Sequence, residues 1–312
     1  MATVTGRSGA GGAGDVKPER SYLVCSTPRS GSTLVCEALA QTGVAGRPEE
    51  YFEALRHSGR PRRPEEYFRG VADTSILDHL NERVVGDDPP QRSPLWSRSA
   101  YDRYLDWVLE AGTTDNGVFG AKLMWGYLED FTSLLRNIPE YRELPLAELL
   151  PEVFPDLRFI RVVRANKVRQ AVSLWKAVQT AAWSEAQDAK ESKAPPYKSF
   201  LEEQRPGLRF HYRAIEHLLQ QILWQEAFWD TFFEHTRIKP IFVLYENFAG
   251  DFTVSTERLL ERLEVDVPDL SGLEPPLRQQ SDSINDDWVR RYSDLKLGQD
   301  FDLVPTKPLA PS

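Results

Sequence analysis

The sequence predicts an α/β fold of three layers, with a mostly parallel central sheet and helices on both faces. Three observations predict it. Four apolar runs read as strands, at residues 22–26, 117–124, 158–163 and 238–245. The segments between them are far longer than hairpin turns, so successive strands need crossover connections. Apolar residues at helical spacing occupy parts of those crossovers, at residues 33–41, 168–178, 211–235 and 255–263. In sheets of this kind ligands gather beyond the C-terminal ends of the strands.

The first strand, Tyr22-Leu23-Val24-Cys25-Ser26, is continuously apolar, as a strand covered on both faces should be. It runs into Thr27-Pro28-Arg29-Ser30-Gly31-Ser32-Thr33, and Leu34, Val35, Ala38 and Leu39 then repeat at helical spacing. A turn of this kind aims backbone N–H groups at one point, at the positive end of a helix dipole. Arg29 adds a permanently charged fork, and Ser30, Ser32 and Thr33 add hydroxyls. Gly31 lets an anion approach the backbone. The sequence lacks the Gly-Lys pair of a nucleoside-triphosphatase loop, so the turn suits one terminal phosphate or sulfate rather than a triphosphate.

The third strand ends at Arg164, and a turn through Ala165-Asn166 enters a helix bearing Val168, Ala171, Val172 and Trp175. Arg164 and Ser173 can close on a second anion. The 211–235 helix carries Ile215, Leu218, Leu219, Ile222, Leu223 and Trp229, a core-packing stripe. Residues 184–205 are polar and contain Pro195-Pro196, which reads as a loop or lid, and Asp87-Asp88-Pro89-Pro90 reads as another loop. Residues 1–20 and 299–312 read as a disordered tail and a loosely held tail, leaving a single domain at 21–298.

Composition sets further bounds. The chain has 312 residues, 41% of them hydrophobic, enough for a sizeable core. A net charge of -9 argues against general nucleic-acid binding. The two cysteines, Cys25 and Cys36, flank the turn and read as buried thiols; the five histidines show no metal-binding spacing, so no metal is expected. No stretch approaches the ~20 apolar residues of a membrane helix, and residues 1–20 lack a signal peptide's apolar region, so a cytoplasmic protein is expected.

Together the two anion sites resemble sulfotransferases that use 3′-phosphoadenosine-5′-phosphosulfate. Pro28-Arg29-Ser30-Gly31-Ser32-Thr33 resembles that family's 5′-phosphosulfate loop, Arg164 and Ser173 its 3′-phosphate pair, and Tyr245-Glu246-Asn247-Phe248 its stretch after a late strand. The likeness is stronger to the trehalose 2-sulfotransferase branch. It extends over most of residues 22–295, including Thr42-Gly43-Val44-Ala45-Gly46, Pro48-Glu49-Glu50-Tyr51-Phe52, Lys122-Leu123-Met124-Trp125, Gln170-Ala171-Val172-Ser173, Ala177-Val178-Gln179-Thr180 and Asp287-Trp288-Val289. It departs at Ala165, where the family often has proline, and in residues 184–205.

The resemblance implies a P-loop-like three-layer fold and transfer of a sulfuryl group to a hydroxyl of a carbohydrate such as trehalose or a related glycoside. Arg29 and the amides of residues 30–33 are implied to hold the leaving phosphate. Several acids, Glu49, Glu50 and the Glu65-Glu66 pair, sit in similar local sequence, and the residues alone do not choose between Glu49 and Glu50. The resemblance points to Glu50 as the base, while His57 lies in a basic loop. Lys122, Trp125, Trp175 and Trp183 are candidates for the acceptor cleft, since aromatic faces suit sugars. A homodimer is implied. Sulfation of a lipid or secondary-metabolite hydroxyl, a nucleotide-dependent kinase, and a non-catalytic nucleotide-binding protein remain open alternatives.

Overall fold

A computed structural model describes residues 18–53, 62–80, 97–180, 207–275 and 283–302 of the chain. The predicted loops at 87–90 and 184–205, with Trp183 and His57, lie outside these residues. Four strands, β1 (Arg20–Ser26), β2 (Val118–Met124), β3 (Leu157–Val163) and β4 (Ile241–Leu244), form one sheet in the order β2-β1-β3-β4. Every pairing is parallel. Nine α-helices occur among the described residues: α1 (Ser32–Gln41), α2 (Tyr101–Gly112), α3 (Trp125–Leu135), α4 (Leu146–Val153), α5 (Lys167–Thr180), α6 (Tyr212–Thr236), α7 (Tyr245–Gly250), α8 (Phe252–Leu263) and α9 (Ser283–Asp302).

Strand alternation divides the core between the two faces. Leu23, Phe119, Ala121, Leu123 and Phe159 pack against α2, α3, α4 and α6 on one side. Tyr22, Val24, Ile160, Val162 and Val243 pack against α1 and α8 on the other. A third cluster joins α5, α6 and α9 through Trp175, Leu218 and Trp288. The α/β, three-layer, parallel architecture predicted from sequence is therefore present.

The strands and helices read from sequence all occur, with shifted ends. The first strand begins at Arg20, whose Nε is 2.8 Å from Asp156 Oδ2, so residue 20 belongs to the sheet rather than to a tail. The fourth strand is cut to four residues. Arg237 closes α6 in the left-handed conformation, Pro240 supplies no N–H, and Tyr245 already starts α7. The last helix runs to Asp302, past the boundary placed at residue 298. Helix α2 was legible but unread: Tyr101, Tyr104, Leu105 and Val108 are buried at helical spacing.

Candidate active site

The turn after β1 gathers groups that can receive an anion. Beyond β1 the chain makes a tight loop in which Ser30 N–H donates to Thr27 O at 3.3 Å. Arg29 takes φ +61° and Gly31 φ +89°. Gly31 is the N-cap of α1 and has no side chain to satisfy the helix's first amides. The Ser30 hydroxyl is fully buried and has no hydrogen-bond partner. A buried orphan donor beside bare helix amides fits a bound oxyanion.

The residues of the second expected anion site lie against this turn. Arg29 Nε donates to Ser173 Oγ at 3.0 Å, and Arg164 Nη1 donates to Arg29 O at 3.3 Å. The residues of the two expected anion sites are thus in direct contact. Arg164 is buried at 9% exposure, and its Nε has no partner. Burial lowers its affinity for the proton, opposed by Tyr245 and Glu246. A buried guanidinium of this kind calls for a counter-anion.

Tyr245 and Glu246 hold the arrangement together. The Arg164 guanidinium lies 5.0 Å from the centre of the Tyr245 ring. That same ring covers Gly31, where a Cβ would come within 2.0 Å of it. Glu246 accepts from the N–H groups of Ala165 and Asn166 at 3.0–3.3 Å. Burial pushes the Glu246 carboxyl up, but these donors, its own backbone N–H and Arg164 together hold the group below its ordinary value. The turn that lacks the family's proline at Ala165 is thus pinned by a carboxylate.

Glu50 stands at the end of an extended segment beside β2, where Lys122 N–H donates to Glu49 O at 2.9 Å. Successive side chains of such a segment point to opposite sides. Glu49 is exposed, while Glu50 turns inward and pairs with the buried Lys122 ammonium. Lys122 Nζ also donates to Thr33 Oγ1 at 3.1 Å, which ties Glu50 to the anion loop through one side chain. Burial disfavours the Lys122 charge, yet the Glu50 carboxylate, with Cys36 and Glu53, holds its pKa above the ordinary lysine value. The adjacent aromatics anchor the segment: Phe52 stacks on Phe131 with ring centres 3.9 Å apart, and Tyr51 is buried.

Around Glu50 lie further polar groups. Tyr127 OH donates to Glu53 Oε1 at 3.4 Å, and Arg62 sits 5.1 Å over the Tyr67 ring. Glu66, one of the rival acids, instead accepts from Arg63 N–H at 2.9 Å and caps a short 3-10 turn. Trp125, at the start of α3, stacks on Phe228 at 5.5 Å. Trp175 corrects the cleft assignment. It is fully buried among Phe68, His79 and His211, and its Nε1–H donates to Arg209 O at 2.9 Å. Its helical phase carries it into the α5–α6 core, away from Ser173's side of the helix. Both cysteines are free, and burial pushes the Cys36 thiol up to about 12, which leaves it unreactive.

The contacts of Gln170 with Thr27 and Pro28, of Glu226 with Thr27, and of Tyr245 and Glu246 around Arg164 have no counterpart among the residues singled out from sequence. Gln170 and the Tyr-Glu pair stood inside quoted motifs, so a signal was present. Glu226 gave none, because an acid on a long amphipathic helix looks solvated until the fold buries it.

The sequence is similar to those of known proteins. The family model "Stf0 sulphotransferase" matches residues 21–294. A trehalose 2-sulfotransferase of Mycolicibacterium smegmatis is 32% identical over 273 residues, covering 87% of this chain and 94% of the relative. A trehalose 2-sulfotransferase of Mycobacterium tuberculosis is 33% identical over 274 residues, covering 88% and 94%. A crystal structure of a sulfotransferase from Alicyclobacillus acidocaldarius aligns over 89% of this chain and 92% of its own, with a TM-score of 0.41 and 13% identity. The family match takes in all four strands, the anion loop, both arginines and Glu50, and this chain belongs to the Stf0 sulphotransferase family as an enzymatic sulfotransferase.

Proposed function

We propose that the chain moves a sulfuryl group from 3′-phosphoadenosine-5′-phosphosulfate to a hydroxyl of a carbohydrate, trehalose or a related glycoside. The observation that carries this reading is continuity. Glu50 meets Lys122, Lys122 donates to Thr33 of the anion loop, and Arg29 of that loop meets Ser173 and Arg164. An acceptor-side carboxylate and two adjoining anion grips thus form one path. The names of the two relatives and the carboxylate–tyrosine surroundings of Glu50 favour a sugar.

Arg29, Ser30, Gly31, Ser32 and Thr33 would hold the phosphosulfate end, and Arg164 with Ser173 the 3′-phosphate. The buried Ser30 hydroxyl and the Arg164 Nε are the unpartnered donors that such anions would satisfy. Glu50 takes the proton of the acceptor hydroxyl as its oxygen bonds to sulfur. The sulfur–phosphate oxygen bond breaks, and Arg29 with the loop amides receives the charge left on the phosphate. Once protonated, Glu50 no longer neutralises Lys122, whose ammonium then faces the transferring group with Thr33. The products are a sulfate ester and adenosine 3′,5′-bisphosphate. Trp125 and Lys122 line the acceptor side. The active unit is a homodimer in this reading, for which the exposed aromatic residues of α6 offer a surface.

The test is transfer of radiolabelled sulfate from the donor to a panel of sugars, glycosides and lipid-linked alcohols. Transfer to trehalose or a glycoside is expected. Glu50→Gln should lower turnover at least ~10²-fold, the lower end of general-base contributions, while binding of adenosine 3′,5′-bisphosphate stays unchanged. Near-normal turnover in the variant removes Glu50 as base, and transfer confined to lipid-linked alcohols removes the carbohydrate acceptor.

A further inference from the structure

Arg29 is not glycine, yet it holds φ +61°. A left-handed conformation is unfavourable for an ordinary residue and persists only where its surroundings over-determine it. The peptide groups on both sides of Arg29 are in fact gripped. Arg164 Nη1 donates to Arg29 O at 3.3 Å, and Gln170 Nε2 donates to Pro28 O at 2.7 Å. Pro28 O can only accept, so the amide nitrogen of Gln170 must face it.

Gln170 belongs to α5 and is fully buried. Its Nε2 also donates to Thr27 Oγ1 at 2.9 Å. That donation leaves the Thr27 hydroxyl proton free for an acceptor, and Glu226 Oε1 of α6 lies 3.4 Å away. Glu226 is 8% exposed and is neutralised by Lys167 Nζ of α5 at 2.6 Å. One residue earlier, Ser26 O accepts from Trp229 Nε1–H of α6 at 3.0 Å. Residues 26–28 are therefore held by side chains of α5 and α6, just before the turn that presents Arg29.

We infer that Gln170 is a positioning residue for the donor site, setting the Arg29 turn through Pro28 O and Thr27 with Glu226 and Lys167 behind it. Gln170 touches no reacting atom. It fixes the backbone so that the Arg29 side chain and the amides of residues 30–33 converge on the 5′ end of the nucleotide. This rests on the donor reading given above and adds a specific consequence. Losing Gln170 should weaken recognition at the 5′ end while leaving the 3′-phosphate grip of Arg164 in place.

The test compares binding of adenosine 3′-monophosphate and adenosine 3′,5′-bisphosphate by calorimetry, in the full chain and in Gln170→Leu and Gln170→Met. The Leu variant removes both donors. The Met variant keeps the length of the side chain, removes the donors without adding charge, and serves as the second witness if the Leu variant fails to fold. In the wild type the 5′-phosphate should tighten binding. In either variant that gain should shrink roughly tenfold or more, the worth of a charge-assisted hydrogen bond that misplacement breaks, with 3′-monophosphate affinity unchanged. A purely structural residue would weaken both nucleotides together, so parallel losses overturn the inference. A folded variant with the wild-type gain also overturns it. No gain in the wild type itself defeats the donor reading beneath it, a different and separately visible result.

Discussion

Gly31 stands where the left-handed backbone of the loop and the face of Tyr245 meet. Two costs would therefore fall on any side chain there. Gly31→Ala should lose about 1–2 kcal/mol for its positive φ and a further ~1–3 kcal/mol for pushing the Tyr245 ring away. Chemical denaturation of Gly31→Ala, Tyr245→Ala and the double variant separates the two. The double variant should recover the steric part and not the backbone part, and a coupling energy of zero would show that the ring can move freely. The same residue scale explains why Glu50 rather than Glu49 reaches the site. The segment is extended, so adjacent side chains diverge, and Lys122 waits on one side only.

At the scale of elements, the turn between β3 and α5 is held by a residue of α7. Glu246 accepts from two successive amides there, and those amides follow Arg164 directly. Its carboxyl is held below the ordinary value of 4.5. A depressed carboxyl adds stability above its unfolded pKa, and that part is lost as pH falls through the folded value. The wild type should therefore lose thermal stability below about pH 4.5 partly through this group, and Glu246→Gln should show a shallower fall over the same window. Glu246 is exposed, so the difference is modest. Thermal melts across an acid series check it, and superimposable pH profiles would detach Glu246 from the stability of the turn. The element scale also shows how α6 serves two ends. Its Trp229 is buried in the main core and holds Ser26 O, while Trp224 and Phe228 on the same helix face outward.

At the scale of the whole molecule, that outward face is the place where assembly can be tested. Trp224 is 64% exposed and Phe228 52%, one helical turn apart, with Trp125 stacked on the latter. Buried aromatic anchors dominate interfaces between proteins. Trp224→Ser should raise the dissociation constant of the proposed homodimer by roughly tenfold or more, read by sedimentation equilibrium. A monomeric wild type, or an unchanged constant in the variant, would take this face out of the interface. Among the described residues no helix is long and apolar enough to cross a membrane.

The alternation of apolar strands with helical crossovers was written in the sequence by itself. Burial on both faces demands continuous apolar runs, and those runs are local. The turn from strand to helix was equally legible, because Arg29, Ser30, Gly31, Ser32 and Thr33 are contiguous and the geometry of a helix start is local too. Tertiary structure alone decided which side chains support that loop. Gln170 and Glu226 reach Thr27 from residues more than a hundred positions away, and Tyr245 meets Gly31 across the sheet. It also withdrew Trp175 into the core and drew Arg29, Ser173 and Arg164 into contact. Sequence spacing fixes a residue's face on its own element, whereas its partner depends on how separate elements pack, and that is settled only when the chain closes on itself.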